Sequence, residues 1–324
     1  MAVVAITGAT GFIGRHVVPV FLERGHSVRA LVRNPVEASV PRGVCPIPGE
    51  ITDPAAVENV LRGVEIAIHL SGVAHTTLTT EDDRNRARAV NVGGARNVLE
   101  AALRVGVRRV VVASSAHVYD GQRGIGVRED APQTPENLYA ETKIEVEQIA
   151  RELAKDGLEV VVGRPCLTYG PKVRFNLLKL MQAIDRGIYF HAGSRKVERS
   201  FASVYSAAAA FVFLAEKGSP GEAYNIADRL PMQLEDFTND LADLMKRGRP
   251  KRIPYSVLWS SAAAFSVAGK LGISGPLTLD SLRKLTESFS LNTDKLASAG
   301  FAWPDNGERA REEMVRAYLA GKAK

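Results

Sequence analysis

The chain reads as an α/β protein, a doubly wound parallel sheet with a smaller, mainly helical C-terminal lobe. Three features carry that reading. Short apolar runs alternate with stretches of helical spacing over residues 3–163; the first run ends in a glycine-rich turn, Gly8-Ala9-Thr10-Gly11-Phe12-Ile13-Gly14; and the alternation loosens after Gly170-Pro171. Alternation sustained this far selects a parallel sheet with helices on both faces, because every parallel connection must cross over the sheet.

Val3-Val4-Ala5-Ile6 is continuously apolar, as expected of a strand buried on both faces. Residues 12–24 place Ile13, Val17, Val20 and Phe21 at helical spacing and stop at Gly25. A strand follows over 28–32, and a third closes at Gly49. The pattern then predicts a helix over 54–61, a strand over 66–70, a helix over 83–103 and a strand over 110–113. A helix over 139–153 and a strand over 160–163 complete the series. Past Pro171, residues 172–200 predict a helix and then a short hairpin, 204–216 another helix, and 222–226 a strand returning to the main sheet. The rest is helical and irregular, broken by Pro250, Pro254, Pro276 and Pro304.

Composition narrows the function. The chain has 324 residues, 45% of them hydrophobic and 24% charged, which excludes disorder and a disulfide scaffold. A net charge of +6 favours anionic ligands, yet it is modest and no reader motif accompanies it, so nucleic acid is not an expected partner. Cys45 and Cys166 read as reduced thiols, and no charged-then-apolar leader precedes Val3; a cytoplasmic protein is expected. The histidines show no metal-ligand spacing and the cysteines no CxxC, so no metal is expected. Lys246 to Arg252 holds five basic residues in seven and reads as a solvated loop, with contact to an anionic membrane or substrate as the alternative. The uncharged stretch 255–269 is shorter than the roughly 20 apolar residues a spanning helix needs. It reads as a partly buried helix, with peripheral membrane contact left open.

The glycine-rich turn joins the first strand to the first helix. Gly8 and Gly11 permit a tight turn and close approach of backbone to a pyrophosphate, and Gly14 permits close helix–sheet packing; Phe12 and Ile13 lie between them at the helix N-terminus. About 20 residues on, an acidic residue would hold a ribose 2′-hydroxyl. Here the second strand ends in Arg33-Asn34 with no carboxylate, which points to a 2′-phosphate and NADP as the preferred cofactor over NAD. Glu50 and Ile51 stand where they would frame the adenine. Tyr139 and Lys143 open a helix one turn apart on one face, and an ammonium near a phenol favours the phenolate, an acid–base group usable near neutral pH. Ser115 ends a buried strand, placed to hold a reacting oxygen or merely to cap the strand end. His69 reads as a satisfied core residue; His117 faces the expected crevice, as a tuner of substrate binding or a bystander.

In this order the pieces resemble the extended short-chain dehydrogenase/reductases of the NAD-dependent epimerase/dehydratase group. The likeness runs through the glycine turn, Ile66-Ala-Ile-His69-Leu-Ser-Gly72, Asn91-Val-Gly-Gly94, Ser114-Ser-Ala-His-Val-Tyr119, Tyr139-Ala-Glu-Thr-Lys143, Gly163-Arg-Pro165, Tyr169-Gly-Pro171, Arg199-Ser-Phe201 and Tyr224-Asn-Ile226. It implies a Rossmann-type dinucleotide-binding domain over 1–170, to which the strand near 222–227 returns, and a substrate-binding lobe over 171–324. It implies Ser115, Tyr139 and Lys143 as the catalytic set, Leu70, Ser71, Gly72 and Asn91 along the cofactor, and Pro165 near the nicotinamide. Gly170 to Asn176 and Leu277-Thr-Leu-Asp280 look most like bacterial nucleotide-sugar 4-epimerases and 4-ketoreductases, with Asn176, Arg199 and Arg283 as candidate substrate contacts.

Three positions depart from that pattern: Leu167 replaces a substrate-contacting Asn, Val204-Tyr205-Ser206 replaces valine-aspartate-aspartate, and Ala116-His117 replaces the Asp-Glu pair of dehydratases. The last argues against a 4,6-dehydratase, which needs an acid and a base for elimination. The resemblance therefore implies hydride transfer at a secondary alcohol or ketone of a nucleotide-diphosphate sugar. A reductase of apolar alcohols or ketones, of sterol or flavonoid type, is the alternative, ahead of a non-catalytic redox-sensing binding protein; a homodimer is left open.

Overall fold

The computed structural model describes residues 1–34, 40–73, 80–121, 124–194, 196–269, 279–305 and 307–322. His75, Pro276 and residues 277–278 of the late motif lie outside the described residues.

The first half supplies six of the seven strands of the main sheet. It runs β1 (Val3–Thr7), α1 (Gly14–Glu23), β2 (Ser27–Val32), β3 (Val44–Pro48), α2 (Pro54–Leu61) and β4 (Ile66–His69). Then come α3 (Glu81–Arg88), a π-helical turn at Ala89–Gly93, α4 (Gly94–Val105) and β5 (Arg109–Ala113). A 3₁₀ turn at Ala116–Tyr119, β6 (Gly124–Val127), α5 (Leu138–Ala154) and β7 (Glu159–Pro165) follow. The expected helix over 83–103 is thus two α-helices around a π turn, a feature that apolar spacing does not encode.

The second half continues with β8 (Leu167–Tyr169), α6 (Phe175–Asp185), β9 (Phe190–Ala192), β10 (Glu198–Arg199), β11 (Phe201–Ser203), α7 (Val204–Lys217) and β12 (Ala223–Ile226). It closes with β13 (Met232–Gln233), α8 (Leu234–Leu244), β14 (Lys251–Ile253), α9 (Tyr255–Gly269), α10 (Leu279–Thr286), β15 (Phe289–Leu291), α11 (Asp294–Ser298) and α12 (Glu308–Lys322).

Seven strands form one sheet in the order β12-β7-β5-β4-β1-β2-β3, every pair parallel. Alternate residues of β1 face opposite layers. Val4 and Ile6 pack with Phe21 of α1 and Phe211 of α7, while Ala5 packs with Val57 of α2, Leu99 of α4 and Val146 of α5. The order reverses between β1 and β4, which opens a crevice at the carboxyl ends of those strands.

The expected hairpin within 172–200 is not formed. β9 pairs in parallel with β14, and β10 pairs with β13 and β15. Strands of two or three residues gain too little from a neighbour in sequence, so their partners come from segments that the helices bring together. Around them Tyr169, Met181, Phe201, Phe237 and Met314 form a separate core, with Phe201 and Phe237 stacked at 4.0 Å.

Candidate active site

At the crevice the glycine turn is sterically fixed. Gly8 has φ 74°, and a Cβ there would stand 2.7 Å from the Leu70 carbonyl carbon; one on Gly14 would stand 2.1 Å from the Gly8 oxygen. Glycine is required at both. The Gly11 amide donates to the Gly8 oxygen at 2.9 Å. Arg15, which sequence reasoning missed, wraps the turn by donating to the Gly11 oxygen at 3.1 Å. The start of α1, with Phe12 and Ile13 partly buried before it, therefore abuts the end of β1 and brings its positive dipole end to the switch point, while the amides of Arg15 and His16 are already bonded to the Gly11 and Ile13 oxygens. Arg33 is exposed at the end of β2. Glu50 is exposed as well, whereas Ile51 packs on Gly94 and its carbonyl accepts from Asn97 at 3.0 Å.

The loop after β4 forms the opposite wall. Leu70 and Ser71 are half-buried and Gly72 is exposed. The Thr7 hydroxyl lies 2.8 Å from His69 Nδ1 and accepts from the Ser71 amide at 3.4 Å. Burial, then the neighbouring Lys143 charge, pushes His69 down to about 3, so it is a neutral structural residue. Asn91 sits buried in the π turn. Its Oδ1 accepts from the Val73 amide at 2.7 Å, and its Nδ2 donates to the Val73 oxygen and the Thr142 hydroxyl, both at 3.1 Å. The loop is thereby tied to α5, the helix of Tyr139 and Lys143. The π turn supplies the inward step that seats this side chain.

Ser115 follows β5, 5% exposed, and its hydroxyl is hydrogen-bonded with the Tyr139 phenol. Asn137 starts α5 by accepting from the Ala140 amide at 3.0 Å and also holds Asp120, at 2.8 Å. Asp120 in turn binds His117 Nδ1 at 2.9 Å, and the His117 ring meets Tyr139 edge-on at 5.7 Å. One turn on, Lys143 donates to the Ala113 carbonyl at 2.7 Å, its ammonium 5.7 Å from the centre of the Tyr139 ring.

One expectation is corrected here. Lys143 does not leave the phenol easy to ionise: burial pushes Tyr139 up, and the Ser115 hydrogen bond only partly opposes it. At neutral pH the phenol is protonated, ready to donate. Burial also pulls Lys143 down from 10.5 to about 8, with Glu147 opposing. Its charge is therefore lost as pH rises through about 8. A rate that depends on this ammonium is expected to show an alkaline limb near pH 8 in kcat/KM, absent in Lys143→Arg. Between about 8 and 10.5 the folded form binds fewer protons than the unfolded chain, so Lys143 adds to stability as pH rises through that window. Unfolding at this residue thus does not account for the limb, and a flat profile up to about pH 10 would remove Lys143 from the reaction.

Beneath this set lies a network that sequence reasoning missed. Glu147, fully buried, accepts from Arg164 on both oxygens at 2.8 and 2.6 Å, from Ser114 at 2.5 Å and from Gln133 at 2.6 Å. Arg164 donates further to the Glu129 carbonyl at 2.8 Å and to the Tyr119 hydroxyl. Tyr119 donates to Asn225 of β12 at 3.1 Å. The network joins β5, α5, β7 and β12 directly behind Ser115. The signal was present: Tyr139, Lys143 and Glu147 recur every four residues on one helix face.

The candidate substrate residues fare unevenly. Pro165 ends β7, opposite Ile226. Arg199 is half-buried in β10, and burial, partly offset by Glu287 and Tyr189, lowers its pKa. Asn176 is exposed in the first turn of α6. The Arg283 guanidinium is held by both oxygens of Glu136 at 2.8 Å, which links α10 to the segment before α5. To meet a diphosphate it would have to exchange that carboxylate. Nearby in the C-terminal lobe, Tyr189, His191, Leu234, Arg252 and Leu285 line a cleft. Cys45 and Cys166 are free thiols, and among the described residues no cluster of His, Cys, Asp or Glu could hold a metal ion.

A seven-stranded parallel sheet, a glycine turn at its switch point and a serine–tyrosine–lysine set across the crevice define a nicotinamide-dependent oxidoreductase of the short-chain type. The cofactor fits: no side chain intrudes at Gly72, where a Cβ would stand 3.3 Å from Asn91 Oδ1 and 3.5 Å from Lys143 Nζ. The model of the NAD dependent epimerase/dehydratase family matches residues 4–227, and the chain belongs to that family. It is 29% identical over 261 residues to a 3 beta-hydroxysteroid dehydrogenase/Delta 5-->4-isomerase of Mycobacterium tuberculosis, covering 76% of this chain and 70% of that one. It is 30% identical over 207 residues to a UDP-glucose 4-epimerase of Vibrio cholerae, covering 62% of each. The Bordetella bronchiseptica enzyme WbmH, solved in complex with NAD+, shares the fold at a TM-score of 0.75, with 21% identity over 99% of each chain.

Proposed function

We propose that this enzyme interconverts a secondary alcohol and a ketone on a sugar carried by a nucleoside diphosphate, as a 4-ketoreductase or 4-epimerase, and that it prefers NADP(H). The observation that carries the chemistry is the half-buried Tyr139 phenol hydrogen-bonded to Ser115, with Lys143 one turn away. Ser115 and Tyr139 hold the reacting oxygen between them. Tyr139 gives that oxygen a proton when a ketone is reduced and takes one when an alcohol is oxidised. Lys143, anchored on the Ala113 carbonyl, steadies the charge that develops on the phenol oxygen. The glycine turn and the 70–73 loop, which Asn91 ties to α5, would hold the dinucleotide, whose nicotinamide would supply the hydride chemistry.

For the substrate, the half-buried Arg199 supports an anionic group, because a guanidinium makes charge-assisted contacts with a diphosphate, which would compete here with the neighbouring Glu287. The apolar alternative stays alive on one observation: Leu167, at the start of β8, is 40% exposed. It also agrees with what the mycobacterial relative is named for. Purified protein offered nucleotide sugars, their 4-keto forms and hydroxysteroids, each with NADH and NADPH, decides between them. Turnover of a nucleotide sugar supports the proposal; reduction of steroid ketones alone replaces it.

Cofactor preference rests on Arg33, exposed at the end of β2 with no acidic residue in its place. A charge-assisted phosphate contact is worth roughly 1.5–3 kcal/mol, about 10- to 150-fold in affinity. Arg33→Ala is expected to weaken NADPH by that factor and leave NADH unchanged, as read by calorimetry. Equal loss for both cofactors would make Arg33 a bystander.

A further inference from the structure

We propose that the outer face of α9, with the lysines that precede it, docks on an anionic lipid bilayer. Leu258 and Ala262 anchor the inner face of the helix against Ala192 and Leu282. The outer face holds Tyr255, Val257 and Trp259, exposed to 48%, 53% and 52%, with Ser256 and Ser260 beside them. Tyr255 and Trp259 stand one turn apart on that face. From Pro254 to Gly269 there is no charged residue. A helix face turned to water ordinarily carries charges, so this one is fitted to a less polar neighbour.

The chemistry favours a bilayer over a protein. Exposed tyrosine and tryptophan interspersed with serine, next to basic residues, match the headgroup region, where amphipathic rings sit and anionic lipids attract lysine. Protein interface cores are depleted of serine and lysine. The arginines of the preceding run are engaged: Arg247 with Asp185, Arg249 with Asp243, and Arg252 with both oxygens of Glu235. Lys246 and Lys251 are exposed, and among the described residues neither has a carboxylate partner. They supply the surplus positive charge. Among the described residues no helix is long and apolar enough to cross a membrane, so the contact is with the surface. This docking does not depend on which substrate the enzyme turns over.

Flotation of the full-length protein with vesicles tests it. The protein is expected to rise with vesicles of phosphatidylcholine and phosphatidylglycerol, to stay behind with phosphatidylcholine alone, and to lose the association at high salt. Tyr255→Ser with Trp259→Ser is expected to cut partitioning about tenfold or more, without changing Tm or dinucleotide binding. Lys246→Glu with Lys251→Glu is expected to cut it at least about tenfold, since each lysine near an anionic surface counts for about fivefold. Tryptophan emission should shift to the blue on adding anionic vesicles, and Trp259→Phe should abolish that shift. Failure to float with anionic vesicles overturns the proposal, as does flotation unaltered in both double variants. If the aromatic variant instead halves the mass seen by light scattering, the face belongs to a second copy of the chain and the bilayer proposal falls.

Discussion

Tyr139→Phe is expected to lower turnover by about 10²–10⁴-fold or more while dinucleotide affinity stays within about twofold of the parent. The substitution removes one oxygen, the atom hydrogen-bonded to Ser115. It keeps the ring that meets His117 edge-on and the backbone carbonyl that accepts from Thr142 at 2.8 Å. The loss should therefore appear in kcat and kcat/KM together, as for a group that acts only in the transition state. Fluorescence titration with cofactor beside steady-state kinetics separates the two effects. Near-parental turnover with cofactor bound would take the proton-transfer role away from Tyr139.

Glu147→Gln is expected to destabilise the fold by about 3–5 kcal/mol, a large share of the total stability of an ordinary domain. Burial alone would push the Glu147 carboxyl up, but Arg164, Ser114 and Gln133 together hold it below its usual range. Gln keeps the shape and removes the charge, which leaves the Arg164 guanidinium, 4% exposed, without its counter-ion. By the same linkage, the stabilisation from Glu147 is full above its unfolded value of 4.5 and is lost as pH falls through its lower folded one. Urea unfolding followed by circular dichroism measures both effects. Glu147→Leu with Arg164→Met should recover much of the loss, since a pair removed together leaves no orphaned charge. A cost below about 1 kcal/mol for the single variant would mean that water already reaches the pair.

The main sheet was legible because its information is local. Val3-Val4-Ala5-Ile6, the glycine turn and the helical spacing of Val17 and Phe21 each state their own conformation, and the alternation of such segments leaves few topologies. The spacing of Tyr139 and Lys143 likewise placed both on one helix face before any contact was known. The two- and three-residue strands of the C-terminal lobe were not legible: β9 finds β14 and β10 finds β15, partners some 60 and 90 residues away. Nothing in so short a segment names its partner.

Composition, periodicity and the glycine turn by themselves determined a parallel α/β sheet and a tyrosine–lysine pair at the head of a helix, while the strand order and its switch point came with the tertiary structure. Only the tertiary structure decided the ionisation of that pair, the seat of Asn91 in the π turn, the engagement of Arg283 by Glu136 and the buried Glu147–Arg164 network. Local conformation is set by steric and periodic preferences that each segment carries with it. A charge state is set by how much water is excluded and which partners arrive, and these come from segments far apart in sequence. That is why the expected ease of ionisation of Tyr139 is not met: burial raises its pKa, and the lysine that the sequence correctly placed one turn away does not reverse the shift.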